Sequence, residues 1–546
     1  MAKGYLPVDR DQAFLLPPDM REWLPASHPV WLVIEAVRLL DTSAFHARRR
    51  TGGAGAAGYD PDMMVTLLIW AYANGVTSSR RIERLCGQDV AFRVVCAGRR
   101  PDHVTVARFR QQFADTAAAL FAQVLVLCAR LGMGQVGTVA LDGTKIAGNA
   151  SAGANRTEEK LRKLAGELAA AHAEKDAAED ALFGKGERGD DDPGGPFTRR
   201  ERVAAALASL EAERAAREAA QRGRAEQAER TAEAVRSGAP VTGPRSGSEA
   251  ALAGARLDRE RAAYQAKLAD RAARAGAGRP SAGMPPVPVE DYCRVRRARE
   301  ALERARARDA ARAQRAARAA EGRGGKGQGG KPGKKAGPAR RNVTDPGSRL
   351  MPVRGGGFIQ GWNAQNVTTE DGLVIATRLT AAPNDVQWYE EMTRQAQAAA
   401  AAMAAAGGPG NGEVGLVLAD AGYLSEANLA CPGPDRLIAT GKRRSLEKAA
   451  RPGAGEGGTQ GKGEGPVAAM AARLATADGI AAYRRRSHIG ETFHGDVKHN
   501  QGLRRLSLRG QRKASGEWTF AAAVRNLRKA IASGHLTREA LAALPG

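Results

Sequence analysis

Apolar residues recur at helical spacing along residues 29 to 130. Three or four positions separate successive members of this series, which includes Met64, Leu67, Leu68, Tyr72, Val106, Phe109 and Phe113. The spacing predicts amphipathic helices that bury one face. We therefore expect an all-α N-terminal domain over residues 1–133.

Two polar segments in this region can start short helices, at residues 76–81 and 101–110. Together they predict a helix-turn-helix-like pair that binds DNA. The second helix carries Arg108 and Arg110, which are candidates for DNA contact. The same pattern also fits an ordinary packing unit, so this alternative stays open.

The middle of the chain changes character twice. Residues 134–157 contain a β-prone run, 138–145, in which an acid and a glycine follow apolar residues. Residues 158–321 are rich in alanine, arginine and glutamate, with leucines three and four positions apart, and predict a helical coiled-coil insertion that pairs as an antiparallel hairpin. Residues 322–341, dense in glycine and lysine, predict a flexible basic linker.

After the linker, apolar and polar residues alternate, which is the pattern of β-strands. Residues 357–367 and 372–379 alternate and predict a hairpin that turns at 370–372. A helix over 386–406, a buried strand over 414–419, a short strand over 436–440 and helices over 467–477 and 487–500 follow. Residues 342–534, together with the earlier strand, therefore predict an α/β domain, a mixed sheet with flanking helices, and residues 535–546 a C-terminal tail.

The charge balance favours a polyanionic partner. The chain of 546 residues has 83 Lys and Arg against 59 Asp and Glu, a formal net charge of +24. A GC-rich coding sequence would also raise the arginine and alanine content, so charge alone does not decide the function. The five cysteines form no CxxC pair, the N-terminus lacks an apolar signal core, and the apolar stretch 116–129 is too short to span a bilayer. We expect a cytoplasmic protein without a structural zinc site.

Three acids stand at positions suited to metal binding. Asp142 and Asp420 each end a predicted strand, and Glu491 lies on a late helix, so the three carboxylates can converge at one sheet edge. Such a set holds two Mg²⁺ ions about 3.5–4 Å apart, and we expect Mn²⁺ to substitute. Taken singly, an acid after a strand is more often a turn former.

Cations accompany the third acid. His494 and Lys498 fall on the same helical face as Glu491, and Arg504 and Arg505 follow. Basic residues beside a carboxylate fit a metal site next to a DNA backbone. A solvated face with intrahelical ion pairs is the alternative.

These segments resemble the DDE transposases of bacterial insertion sequences. The resemblance rests on residues 141–145 (LDGTK), residues 419–423 (ADAGY), and Glu491 followed after six residues by Lys498. Residues 345–351 (DPGSRLM), 357–365 (GFIQGWNAQ) and 178–184 (AEDALFG) resemble the group called eleven-eighty-two. The resemblance to DDE transposases implies a ribonuclease-H-like catalytic domain with Asp142, Asp420 and Glu491 as catalytic metal ligands.

The resemblance also implies DNA contacts at Lys145, Tyr483, Arg486 and Lys498. The chain departs from related families at two points: four residues, where those families have three, separate Arg486 from Glu491, and His494 stands where an apolar residue is expected. The implied reaction is cleavage at transposon ends to free a 3′-hydroxyl, then joining of that hydroxyl to target DNA, with a dimer or larger assembly on double-stranded DNA.

Two other functions fit the same residues. A ribonuclease-H-like nuclease would share the three acids but would only hydrolyse DNA, and a strand-transfer assay separates the two. A non-enzymatic basic DNA-binding protein would use the charge and the helical block for phosphate neutralisation. Strands that end in acids favour an enzyme over the latter, because these acids repel DNA unless a metal ion intervenes.

Overall fold

The computed structural model describes residues 19–47, 58–183, 199–240, 248–277, 285–321, 339–353, 356–441 and 465–544. The chain folds as two compact units. The first contains Met1–Asn155, Gly194–Arg202 and Asn342–Gly546, and the second contains Arg156–Pro193 and Val203–Arg341. The first unit carries the sheet and all three predicted acids.

The N-terminal part of the first unit is helical, as predicted. Aspartate side chains start three of its helices, since Asp60, Asp89 and Asp102 accept hydrogen bonds from the amides of Met63, Phe92 and Thr105. The helices are α1 (Pro29–Arg38), α2 (Ser43–His46), α3 (Pro61–Ala73), α4 (Ser79–Gln88), α5 (Val90–Val95), α6 (His103–Arg110) and α7 (Phe113–Arg130). The predicted helix pair corresponds to α4 and α6, but α5 lies between them in the chain.

A mixed sheet follows, and the alternating segments form its strands. Its members are β1 (Thr138–Ala147), β4 (Arg349–Pro352), β5 (Phe358–Thr369), β6 (Val374–Thr380), β7 (Leu416–Ala419) and β8 (Asp435–Ile438). Strands β4, β5, β1, β7 and β8 lie in this order, and β6 also pairs with β5. Strands β5 and β6 are antiparallel and turn before Val374, which confirms the predicted hairpin.

The helices of the C-terminal part complete this unit. They are α12 (Tyr389–Ala405), α13 (Glu426–Ala430), α14 (Pro466–Ala475), α15 (Ala477–Arg486), α16 (Thr492–Gly495), α17 (Gln511–Ala532) and α18 (Arg538–Ala542). Two π-helical turns, Ser487–Glu491 and Asp496–Asn500, flank α16. The predicted helix over 487–500 is therefore present but is not a regular α-helix.

The N-terminal helices and the sheet share one hydrophobic core. Helix α17 packs on α7, where the rings of Phe113 and Phe520 stack with centroids 4.0 Å apart. A Cβ at Gly516 would lie 2.3 Å from the Phe113 carbonyl oxygen, so only glycine allows this approach. Residues on both sides of position 133 thus fill the same core, and the predicted domain boundary there does not separate two compact units.

Helix α7 is the one described helix that is long and apolar enough to cross a membrane, so the apolar stretch is longer than the sequence indicated. Its apolar residues, among them Leu120, Val124 and Leu127, are buried in the core. Helix α7 is therefore a core helix of the first unit.

The second unit is built from long helices, as the leucine spacing predicted. They are α8 (Glu158–Phe183), α9 (Arg199–Ser237), α10 (Glu249–Gly276) and α11 (Cys293–Glu321). Arg162 of α8 pairs with Glu211 of α9, and Arg308 of α11 pairs with Glu249 of α10. The described helices thus pair two by two, where the sequence predicted a single hairpin.

The two ends of this unit lie side by side. Strand β2 (Asn155–Thr157) pairs with β3 (Arg340–Asn342) in a separate two-stranded sheet. The insertion therefore leaves and returns at neighbouring points, as chain continuity through the main sheet requires. The predicted basic linker falls almost entirely on residues 322–338, which lie outside the described residues.

Candidate active site

Asp142 and Asp420 are brought together by the register of two parallel strands. Leu141 of β1 pairs with Ala419 of β7, so the two aspartates are the next residues on neighbouring strands. Asp420 follows the end of β7, as predicted, and its Oδ1 accepts a hydrogen bond of 2.9 Å from the Gly422 amide.

Asp142 does not end its strand, which corrects the sequence interpretation. Strand β1 continues to Ala147 because β5 pairs with it over the whole length, with Asp142 opposite Asn366. The glycine after Asp142 thus lies within the strand and forms no turn. The acid is consequently held inside the sheet, where its backbone is fixed on both sides.

The carboxyl group of Asp142 is largely buried, with 14% of its side chain exposed. Burial raises its pKa to about 6, against the opposing charge of Arg486 and with a smaller contribution from the negative charge of Asp420. A buried carboxylate whose pKa is raised is a common feature of functional sites.

Arg486 joins Asp142 to Glu491. Its Nη1 lies 3.3 Å from Oδ1 of Asp142 and its Nη2 lies 3.7 Å from Oε1 of Glu491. The guanidinium group thus bridges the first and the third predicted acid.

The extra residue between Arg486 and Glu491 is absorbed by the π-helical turn Ser487–Glu491. A π-helix bonds residue i to residue i+5, so residues five apart lie on one face. Arg486 and Glu491 are five positions apart, so the π-helical turn places both side chains on one face and in contact.

Glu491 is the most exposed of the three acids, with 57% of its side chain accessible. Its neighbour Gly490 lies against Asp142, since a Cβ built there would be 3.3 Å from the Asp142 Cβ. Among the described residues no group of three or more His, Cys, Asp or Glu side chains is arranged to hold a metal ion. The three-carboxylate metal centre therefore stays a prediction.

The two predicted lysines line the site and are partly buried. Nζ of Lys498 donates hydrogen bonds of 2.5 Å to the Thr144 hydroxyl and of 3.1 Å to the Lys145 carbonyl. Nζ of Lys145 donates to the Pro383 carbonyl at 2.8 Å. Burial lowers the pKa of both ammonium groups, and nearby aspartates oppose this effect. Both lysines are held on the β1 side of the site.

Asp385 is a further acid of this site that the sequence interpretation missed. Its Oδ1 accepts hydrogen bonds from Asn363 Nδ2 at 2.7 Å and Gln365 Nε2 at 2.6 Å, and lies 3.6 Å from Nζ of Lys145. A Cβ at Gly422 would lie 3.3 Å from its Oδ2 and 2.9 Å from Oδ1 of Asp420. The sequence signal is the pair of buried polar residues in β5, which require polar partners.

The remaining C-terminal candidates differ in exposure. Tyr483 is partly buried, its hydroxyl donates to the Ala419 carbonyl at 3.3 Å, and the Arg486 guanidinium lies 5.9 Å from its ring centroid. Burial raises the pKa of Tyr483. Arg504 and Arg505 are exposed and available to a DNA backbone.

The N-terminal candidates for DNA contact also differ in exposure. Arg108 is exposed on α6, whereas Arg110 is buried. The guanidinium of Arg110 donates to the hydroxyl groups of Ser507, at 2.8 Å, and Ser79, at 3.0 Å. The prediction that Arg110 contacts DNA is corrected, because these bonds place it in the interior.

Comparison with protein families gives two matches. Residues 18–112 match the model described as a transposase domain (DUF772). Residues 460–531, which include Tyr483, Arg486, Glu491 and Lys498, match the model described as a transposase DDE domain. Comparison with curated proteins and with solved structures gives no match.

Proposed function

We infer from the two family matches that the chain is a DDE transposase of insertion-sequence type. On this premise we propose that it cleaves transposon ends and joins the freed 3′-hydroxyl to target DNA, with Asp142, Asp420 and Glu491 as catalytic residues. The arrangement of the three acids supports this proposal. The parallel register places Asp142 beside Asp420, and Arg486 links Asp142 to Glu491.

We propose further that the sheet is of the ribonuclease-H-like type. The order β6, β5, β1, β7, β8 supports this, since β5 and β6 run antiparallel to their neighbours and β1, β7 and β8 are mutually parallel. In such a sheet the acid on the central strand and the acid after the adjacent parallel strand face the same space. Asp142 and Asp420 occupy these two positions.

The donor set fits divalent metal ions. Carboxylate oxygens are the ligands that Mg²⁺ prefers, and the burial of Asp142 creates a place where a cation stabilises the ionised form. We propose Asp142, Asp420 and Glu491 as ligands of two Mg²⁺ ions, for which Mn²⁺ substitutes. When bound, such ions activate the attacking oxygen and stabilise the leaving oxygen of a phosphoryl transfer.

The protein side chains around these acids position the reacting strand. Lys498 and Lys145 hold positive charge at the β1 side of the site, where a phosphate group would be drawn. Arg486 is held by Asp142 and Glu491 and keeps both carboxylates oriented. The guanidinium of Arg486 lies over the ring of Tyr483, and this contact helps to hold Arg486 in position.

DNA binding beyond the site would use exposed cations. Arg504 and Arg505 follow the DDE segment, and Arg108 on α6 is exposed in the matched N-terminal region. With a net charge of +24, counterion release would supply much of the affinity. We propose double-stranded DNA as the partner, in the bacterial cytoplasm at the nucleoid, and at least a dimer on DNA because two ends must be held together.

The helical insertion would act outside the catalytic core. Helices α8 to α11 carry many exposed arginines, and their apolar stripes are narrow, for example Ala255, Leu257 and Tyr264 in α10. Such helices can pair in coiled-coil fashion. We propose that this unit contacts DNA or a second subunit.

The test is a set of single substitutions assayed on DNA that carries the inverted repeats of the element. Asp142→Asn, Asp420→Asn and Glu491→Gln should each abolish metal-dependent cleavage but leave DNA binding within a few-fold of the wild type. Glu413→Gln, at an exposed acid before β7, is the matched control and should cleave normally.

Strand transfer decides between the two enzymatic functions. The wild type should join a pre-cleaved end to target DNA. If it cleaves the ends but never joins them, the chain is a nuclease and the transposase proposal is wrong. If the three variants cleave normally, the site assignment is wrong.

A further inference from the structure

His494 lies against the buried catalytic aspartate. It belongs to α16, and its side chain is buried with 11% exposed. Its Nε2 is 3.5 Å from Oδ2 of Asp142, while the other oxygen of that carboxylate faces Arg486.

Neither ring nitrogen of His494 makes a hydrogen bond of normal geometry to a described residue, although both are buried. An unpaired buried polar atom costs about 1–3 kcal/mol, so such groups are rare in folded proteins. Of the two, Nε2 faces the Asp142 carboxylate at 3.5 Å, so a partner of Nε2 would lie next to Asp142.

A neutral imidazole has one ring nitrogen with a free lone pair, which is the form that binds metal ions. On His494 the nitrogen that faces Asp142 is Nε2, and it is buried without a hydrogen bond to a described residue. This nitrogen is therefore placed to act as a ligand beside the carboxylate.

We propose that His494 is a nitrogen ligand, through Nε2, of the divalent ion that Asp142 binds through Oδ2. Two ligands about 2.1 Å from one ion and about 90–110° apart are separated by about 3.0–3.4 Å, close to the observed 3.5 Å. The separation is longer than an ordinary N–H···O hydrogen bond. The inference rests on the proposed metal-dependent function of this site.

A mixed oxygen and nitrogen site changes the choice of metal. Imidazole suits first-row transition ions, whereas Mg²⁺ favours oxygen ligands and retained waters. The site should therefore bind Mn²⁺ more tightly than an all-carboxylate site would. This chain should therefore bind Mn²⁺ more tightly than Mg²⁺.

The experiment measures Mn²⁺ bound to the full chain by electron paramagnetic resonance. Pulsed spectra of the wild type should show the hyperfine coupling of one directly bound nitrogen, and labelling the protein with ¹⁵N-histidine should change that coupling to the ¹⁵N pattern. This labelling needs no substitution, so its result does not depend on whether a variant folds.

Substitutions then assign the nitrogen. His494→Leu supplies an apolar side chain suited to the buried position; it should remove the nitrogen coupling and weaken Mn²⁺ binding by about tenfold or more, with a smaller effect on Mg²⁺. His488→Gln, at an exposed histidine of the preceding turn, is the control and should retain the coupling.

Each outcome bears on one proposal. Bound Mn²⁺ without nitrogen coupling overturns the ligand role of His494, and so does an equal loss of Mn²⁺ and Mg²⁺ affinity in His494→Leu, which would indicate only a positioning contact with Asp142. The proposed function is tested separately by Asp142→Asn. If that variant binds Mn²⁺ as tightly as the wild type, the metal site itself is misplaced and the proposed function fails.

Discussion

Replacing Asp142 by Asn should stabilise the metal-free protein while it abolishes cleavage. The carboxyl group is buried, and its pKa rises from the ordinary 3.8 to about 6. In the folded chain the neutral form is therefore favoured. This difference corresponds to about 3 kcal/mol of folding free energy at neutral pH, and it already includes the attraction of Arg486.

The sign of the effect follows from proton binding. Between pH 3.8 and about 6 the folded chain keeps a proton on Asp142 that the unfolded chain has lost, so stability falls as the pH rises through this window. Above about pH 6 the full penalty is present. Asparagine carries no charge, so the variant does not incur this loss of folding free energy.

Thermal melts in chelator measure this directly. At pH 7.5 the Asp142→Asn variant should melt about 3–5 °C above the wild type, and the gap should close as the pH approaches 4. Glu491→Gln, at a 57% exposed acid, should leave the melting temperature unchanged although it also stops cleavage. Added Mn²⁺ should raise the melting temperature of the wild type but not that of Asp142→Asn.

The result that would refute this reasoning is a variant that is less stable than the wild type at pH 7.5. A gap of the same size at pH 4.5 and pH 7.5 would also refute it. Either outcome would mean that the negative charge of Asp142 is already stabilised by its neighbours without a metal ion.

Four further results are expected. Lys498→Met should slow cleavage by about 10-fold to 100-fold and leave Mn²⁺ binding intact, because the ammonium group at Thr144 is lost; single-turnover cleavage at normal speed would contradict this. Asp385→Asn should lower the free energy of unfolding in urea by about 1–3 kcal/mol, since the donors of Asn363 and Gln365 lose their charged acceptor; an unchanged midpoint would argue against it. Replacing residues 158–339 by a short Gly-Ser linker should leave a folded, cleaving protein, and a failure to fold would make the insertion part of the core. The logarithm of DNA affinity should fall linearly and steeply with the logarithm of salt concentration, and an affinity independent of salt would exclude counterion release as its main source.

Local patterns were sufficient to predict the hairpin and the strand that ends before Asp420. The alternation before Thr369 and after Gly372 predicts β5 and β6, and an apolar run before Asp420 predicts β7. These features depend on neighbours in the chain. The family resemblance added Glu491 and Lys498, which periodicity alone does not distinguish from a solvated helix face.

Other features depend on contacts between distant residues and could not be read locally. The continuation of β1 past Asp142 requires β5, which lies beyond the insertion. The burial of Arg110 depends on Ser507, which in turn donates to the buried Glu517. Asp385 follows a strand in a short loop, and its role appears only when the polar side chains of β5 are placed beside it.

The packing of α7 on α17 also determines when the protein can finish folding during synthesis. Helix α7 emerges from the ribosome early, but its covering helix, residues 511–532, is made close to the end of translation. Contacts between such distant segments form slowly, and the apolar face of α7 stays open to chaperones or to aggregation until then. A chain released before Gln511 would therefore expose this face, and it would lack the helix that completes the core around the sheet.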